Sequence, residues 1–259
     1  MGLPVEKLVV ATNENDILDR FWKTGHYEKK AVHGLKAEGG IAADGAKAHE
    51  DGVRETLSPA MDILVSSNFE RLLWFLAYDF AAGAGMDDEW NKKQAGQEVE
   101  SWLKELKSKG GFGVHADVLT NAKKDFESER VSDEQTLATI KKYYASPASN
   151  ASATGTKGGY ILDPHSAIGI AAAERSISRA TPGTYHISLA TAHPAKFANA
   201  VDLALKSEEA FSFDSVLPVE FVGLEKKEKR VINVEKGASW EGVRTIVEAE
   251  VEKELSGGK

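Results

Sequence analysis

The chain has 259 residues, 42% of them hydrophobic and 28% charged, which is the composition of a soluble globular protein with enough apolar material for a sizeable core. Its formal net charge of −8 argues against broad nucleic-acid or anionic-membrane binding, and no apolar run reaches the roughly 20 residues that span a bilayer. There is no cysteine, which excludes disulfides, thiolate metal sites and a cysteine nucleophile and fits a cytoplasmic setting.

In chain order, Lys7 to Thr12 is a short β-branched apolar run bounded by Pro4 and Asn13, and it predicts a buried strand. The opening residues carry no basic region followed by a long apolar one, so no signal peptide is expected. A helix follows, with Asn15 or Asp16 as N-cap, Ile17, Leu18, Phe21 and Trp22 as its apolar stripe, and Gly25 as its stop. Residues 34–52 are rich in Gly, Ala and charge without a period and read as a flexible surface insertion. Met61 to Val65 reads as extended, and Ser67 with Glu70 as the capping box of the next helix.

Residues 87–108 predict an amphipathic helix with Val99, Trp102, Leu103 and Leu106 on one face. Ser132 and Gln135 form a second capping-box pattern, opening a helix to Tyr144, and 145–159 reads as a loop or linker. From there the pattern alternates. Strands are expected at 160–164, 184–191 and 229–235, and helices at 165–179, 194–206 and 239–255. Such alternation implies an α/β class with a mostly parallel sheet flanked by helices. The expected segments are an α/β part over 1–85, a mainly helical part over 86–150 and a closing α/β part over 151–259.

Ligands of open α/β sheets bind beyond the carboxyl ends of the strands. Three such ends carry polar side chains: Thr12 to Asp16, then Asp163 to Ser166, then Thr191 and His193, with Pro194 suited to the first turn of the following helix. Capping by itself explains Asn15, Asp16 and Ser166, and each histidine has an equal reading as a satisfied residue of a buried turn. Thr191 is the hardest to assign to a cap. Other patterns are weaker. "HEDGV" at 49–53 has Val53 where a zinc-binding helix needs histidine, "HAD" at 115–117 is an isolated pair, and no metal site is expected. The glycine-rich "GGFGVHAD" follows a helix instead of a strand, and Asp163, His165 and Ser166 lack a nucleophile elbow.

Five stretches resemble threonine synthase, the fungal type in particular: "GLPVEKLVVATNENDILDRFWKTG", "TLSPAMDILVSSNFERLLW", "SERVSDEQTLATIKKYY", "GGYILDPHSAIGIAAAER" and "ISLATAHPAKFANAV". They occur in the family's order. The resemblance implies a fold type II pyridoxal-phosphate architecture with a helical insertion. It also implies a carbon–oxygen lyase that turns O-phosphohomoserine and water into threonine and phosphate in threonine biosynthesis. Under it, Thr191 corresponds to the hydroxyl facing the pyridine nitrogen, Asp163, Pro164 and His165 lie near the ring, and Asn13, Asn15, Asp16 and His193 lie toward the substrate. The family's Schiff-base lysine and Gly-Asn-Phe-Gly phosphate loop precede the first of these stretches and have no counterpart here, and nothing in the resemblance assigns that role to Lys196. The expectation is therefore the C-terminal portion of such an enzyme, inactive by itself, with no catalytic residue of its own. Its partner is then the missing N-terminal half or a second copy, since an open edge on the first strand and uncovered apolar surface favour self-association. The alternative is a non-catalytic α/β module that associates with an intact enzyme.

Overall fold

A computed structural model describes residues 4–29, 53–83, 85–146, 159–209, 211–229 and 231–257. The expected insertion at 34–52 and most of the 145–159 linker lie outside the described residues. The chain divides after Leu217 into two compact units.

The first unit is built around β1 (Leu8–Thr12) and α1 (Ile17–Thr24), both at their expected positions, but β1 is not the buried strand expected: Leu8 is exposed and within it only Thr12 is buried. Gly25 ends α1 in the left-handed conformation, its N–H on the Phe21 carbonyl. A short β2 (His26–Glu28) follows, then a 3₁₀ turn (Pro59–Met61) and α2 (Phe69–Ala82). Next come α3 (Asp88–Lys109), β3 (Gly111–Gly113), α4 (Ala116–Ala122), β4 (Phe126–Arg130) and α5 (Asp133–Ala145). Beyond Gly159 lie α6 (Pro164–Ile177), a 3₁₀ turn (Pro194–Phe197) and α7 (Ala198–Leu205).

The fold is α/β. β1 and β4 pair in parallel, Leu8 against Phe126 through Thr12 against Arg130, and β2 and β3 form a separate antiparallel pair. Neighbouring residues of a strand point to opposite faces. Val10 accordingly joins the cluster of Ile17, Phe21 and Trp22 from α1, whereas Ala11 joins Val131 with Ile168 and Ala171 from α6. The two helices thus cover opposite faces of the parallel pair. The main core is aromatic: Trp22 stacks on Phe126 at 4.9 Å, and Tyr27 stacks on Phe69 and on Phe112, both at 5.3 Å. A second cluster of Ile140, Tyr144, Leu162, Val201 and Leu205 joins α5, α6 and α7.

Several expectations are corrected. The capping box at Ser132 and Gln135 is present, but Ser67 and Glu70 make none. α2 starts later, at Phe69, from a backbone turn in which the Phe69 N–H reaches the Ser66 carbonyl, while Tyr27 Oη accepts the Ser66 N–H. Met61 to Val65 is a 3₁₀ end and irregular chain instead of an extended run. The described residues at 160–163, 184–191 and 231–235 form no strand. A strand requires a neighbouring strand for its N–H and C=O groups, and among the described residues no strand pairs with these segments. The period-two pattern of 184–191 is nonetheless real: Tyr185, Ile187 and Leu189 stand 94%, 87% and 76% exposed on alternate positions. Residues 111–113 and 126–130, which sequence periodicity left without structure, are strands.

The second unit holds one long helix, α8 (Trp240–Ser256), capped by Ser239, whose hydroxyl accepts the Gly242 N–H. Its Trp240, Val243, Val247, Val251 and Leu255 are exposed on one stripe.

Candidate functional site

The strand end after β1 is a hydrogen-bonded knot. Asn13 is buried, and its Nδ2 reaches Thr56 Oγ1 at 2.9 Å, Ser58 Oγ at 3.0 Å and Asp62 Oδ1 at 2.8 Å. Its Oδ1 accepts the Asn15 N–H at 2.9 Å, which folds the Thr12–Asn15 turn back on itself. Asn15 exchanges two bonds with the Arg54 backbone, Nδ2 to the carbonyl and Oδ1 from the N–H, each 2.8 Å. Asp62 is the hub, accepting from Asn13, Asn15 and Thr56. Asp16 is the N-cap of α1 by position only. Its carboxylate is taken by Arg20 at 2.9 Å and Arg130 at 3.5 Å. These side chains bind the loop 54–62 to the strand end, a role that local capping patterns do not reveal.

Asp133, at the start of α5, faces the same knot and accepts the Leu57 N–H at 3.2 Å. Burial pushes its carboxyl up, with Glu14 and Asp62 adding to the effect and the Leu57 bond and Arg54 opposing it.

The second polar turn, which follows irregular chain and not the expected strand, centres on Asp163, almost wholly buried at the N-cap of α6. One carboxylate oxygen accepts the His165 N–H at 3.0 Å and faces His165 Nδ1 at 2.9 Å. The other accepts the Ser166 hydroxyl and the Ser166 N–H. Burial by itself raises the Asp163 pKa, but the bonds from His165 and Ser166 outweigh it and hold the carboxyl below its ordinary value. Pro164 occupies the first helical position, where its missing N–H costs nothing. His165 Nε2 accepts the Ala60 N–H at 3.2 Å, which fixes the ring proton on Nδ1, toward Asp163. Its ring also packs on Phe197 at 4.3 Å between centroids.

The third polar segment, around Thr191, meets the second. The Thr191 N–H donates to Ser166 Oγ at 3.1 Å, while Thr191 itself is exposed and its hydroxyl has no partner among the described residues. His193 is exposed and caps the 3₁₀ turn, its Nδ1 accepting the Ala195 N–H at 3.2 Å. The structure therefore brings Asp163, Pro164, His165 and Thr191 together, with Ala60 of the 54–62 loop as the bridge toward Asn13 and Asn15. Arg54, Thr56, Ser58 and Asp62 join this assembly without any signal in local sequence, because their partners lie about 40 residues away. No lysine bonds or pairs with Asp163, His165 or Ser166 among the described residues, and no group of metal-binding side chains occurs there. The described helices include none long and apolar enough to cross a membrane.

Residues 166–247 match the family described as "Threonine synthase, C-terminal". The chain is 46% identical to threonine synthase of Saccharomyces cerevisiae over 255 residues, covering 98% of this chain and 43% of that protein. It is 43% identical to that of Schizosaccharomyces pombe, covering 90% and 40% of the two chains. The crystal structure of the yeast threonine synthase superposes with a TM-score of 0.74 at 44% identity, over 98% of this chain and 43% of that one. A structure of threonine synthase from Brucella melitensis with PLP bound gives 0.59 at 34% identity, over 88% and 37%. The chain thus spans less than half the length of the relatives it matches.

Proposed function

We infer, from the premise that this chain is a homologue of the threonine synthases, that it supplies one wall of a pyridoxal-phosphate site for converting O-phosphohomoserine and water to threonine and phosphate. The observation that carries this reading is the network from Asp163 through Ser166 to Thr191, which ends in an exposed hydroxyl with no partner among the described residues. That donor set fits the group. A neutral hydroxyl meets a pyridine nitrogen without forcing a proton onto it, as a carboxylate would. When bound, the cofactor delocalises the electron pair left by a departing substrate proton.

In this reading Thr191 binds the ring nitrogen. Asp163, Pro164 and His165 would order the start of α6 on the ring's side of the site. Asn13 and Asn15 act on the substrate side by fixing the 54–62 loop, Asp16 by holding Arg20 and Arg130 at the start of α1, and His193 by fixing the turn after Thr191. In this reading the covalent lysine and the phosphate-binding loop are not supplied by this chain, which turns over no substrate by itself. Segments 1–85 and 151–259 belong to the cofactor domain, with 86–150 as its mainly helical segment.

The test is to incubate the chain with pyridoxal phosphate, reduce with borohydride and map lysine adducts by peptide mass. In parallel, phosphate release from O-phosphohomoserine is measured after adding the part of yeast threonine synthase that this chain does not match. The expected result is no stoichiometric adduct on this chain and phosphate release only in the mixture. One stoichiometric adduct on a lysine of this chain overturns the assignment. The exposed row Tyr185, Ile187 and Leu189 also suits a non-catalytic module bound to an intact enzyme. That reading predicts association with full-length enzyme and no phosphate release from the mixture.

A further inference from the structure

We propose that Ser166 is a positioning residue: its hydroxyl couples the buried Asp163 carboxylate to the backbone of Thr191 and so sets where the Thr191 hydroxyl points. The inference rests on the assignment of Thr191 to the cofactor's ring nitrogen.

Ser166 lies three residues after Asp163, the N-cap of α6, where its pattern is that of an ordinary first-turn polar residue. Its geometry is different. The hydroxyl has one proton, given to Asp163 Oδ2, and a lone pair that accepts the Thr191 N–H at 3.1 Å. The residue is 3% exposed, so water does not compete for either bond. Asp163 is itself held from its other oxygen by His165, and His165 by the Ala60 N–H at 3.2 Å. A continuous chain of bonds therefore runs from the 54–62 loop to Thr191.

The segment bearing Thr191 has little else to fix it. Leu189 and Ala190 are exposed, and among the described residues their N–H groups have no partner. Its other close approach to α6 is at Gly169, where an added Cβ would stand 2.8 Å from Ser188 Oγ. Contact there sets the height of the segment over α6. The Ser166 bond sets its rotation at residue 191, one residue before the chain turns toward His193. The segment's other polar tether among the described residues, Thr184 Oγ1 to Glu6 at 3.0 Å, lies seven residues upstream, so the local order at residue 191 depends on the Ser166 bond.

The experiment has two arms. In the first, amide hydrogen exchange is followed by NMR on the native chain, on Ser166→Ala and on Ser166→Thr. In the native chain the Thr191 amide is expected to exchange at least tenfold more slowly than those of Leu189 and Ala190. Ser166→Ala is expected to abolish that difference with the Ile140 and Val201 amides still protected, and Ser166→Thr, which keeps the hydroxyl, to restore most of it. An unprotected Thr191 amide in the native chain overturns the inference without reference to any variant, as does unchanged protection in folded Ser166→Ala.

The second arm records the absorption spectrum of bound pyridoxal phosphate in the mixture with the N-terminal part of the yeast enzyme. Ser166→Ala is expected to shift the band and Ser166→Thr to return it. A protected, Ser166-dependent amide with an unshifted band in cofactor-loaded Ser166→Ala overturns the positioning role and leaves the assignment of function intact. Failure of the wild-type mixture to bind cofactor removes the functional reading instead, and with it the role proposed for Ser166, even if the first arm shows the bond.

Discussion

At the residue scale, Asp163 carries the most weight. It is buried, ionised, and saturated by His165 and Ser166, so its folded pKa lies below the value of about 3.9 expected in an unfolded chain. A carboxyl depressed on folding contributes stability that is complete above the unfolded pKa. That contribution is lost as pH falls through the folded one. The thermal midpoint of the wild type is therefore expected to fall on acidification below about pH 4 more steeply than that of Asp163→Asn, which starts lower at neutral pH. Parallel pH profiles for the two proteins would show that Asp163 is not the ionised anchor of this turn. The asparagines teach a related lesson. Asn13 and Asn15 look like caps or ligands in sequence, but their amides are spent on tethering a loop some 40 residues away.

At the element scale, helices follow local chemistry. The stripe of α1, the capping box of α5 and the long amphipathic α3 are all visible in short windows, because their hydrogen bonds close within four residues. The end of α5 is different. After Ala145 the chain leaves, and at Gly159 it returns to place its N–H on the Tyr144 carbonyl at 2.6 Å. A Cβ at 159 would collide with the carbonyl oxygens of Tyr143, Tyr144 and Ser146, which are backbone atoms and cannot swing aside as the end of a side chain would. Gly159→Ala is accordingly expected to destabilise the first unit by about 3 kcal/mol, measured as a lower urea midpoint. A change within about 0.5 kcal/mol would mean that the return passage has room to spare.

At the scale of the whole molecule, the feature to explain is apolar surface without cover. β1 pairs on one side only among the described residues, and the extended 184–191 segment turns Tyr185, Ile187 and Leu189 outward in strand-like alternation. Unpaired backbone beside an apolar row is an association surface. Sedimentation velocity is expected to show concentration-dependent association of the chain, reduced in Ile187→Ser with Leu189→Ser and suppressed by the unmatched part of the yeast enzyme. A single slow species at every concentration would assign that row to the chain's own folded surface.

The sequence by itself was sufficient for the α/β class, the positions of α1, α3, α5, α6 and α8, the absence of cysteine chemistry, and the family resemblance carried by "ATNEND", "DPHSA" and "TAHPAKF". These are properties of short windows, where periodicity, caps and motif spacing act within a few bonds. Pairing and proximity were decided only in three dimensions. Whether an apolar run becomes a strand depends on a neighbour contributed from elsewhere. β1 finds one more than 110 residues away, in β4, which lacks a strand's alternation in sequence, and 184–191 finds none among the described residues. The same holds for the site. Ser166 reads as an ordinary helix start until the fold lays Thr191 across it, because a hydrogen bond between residues 25 apart leaves no trace in the local pattern of either.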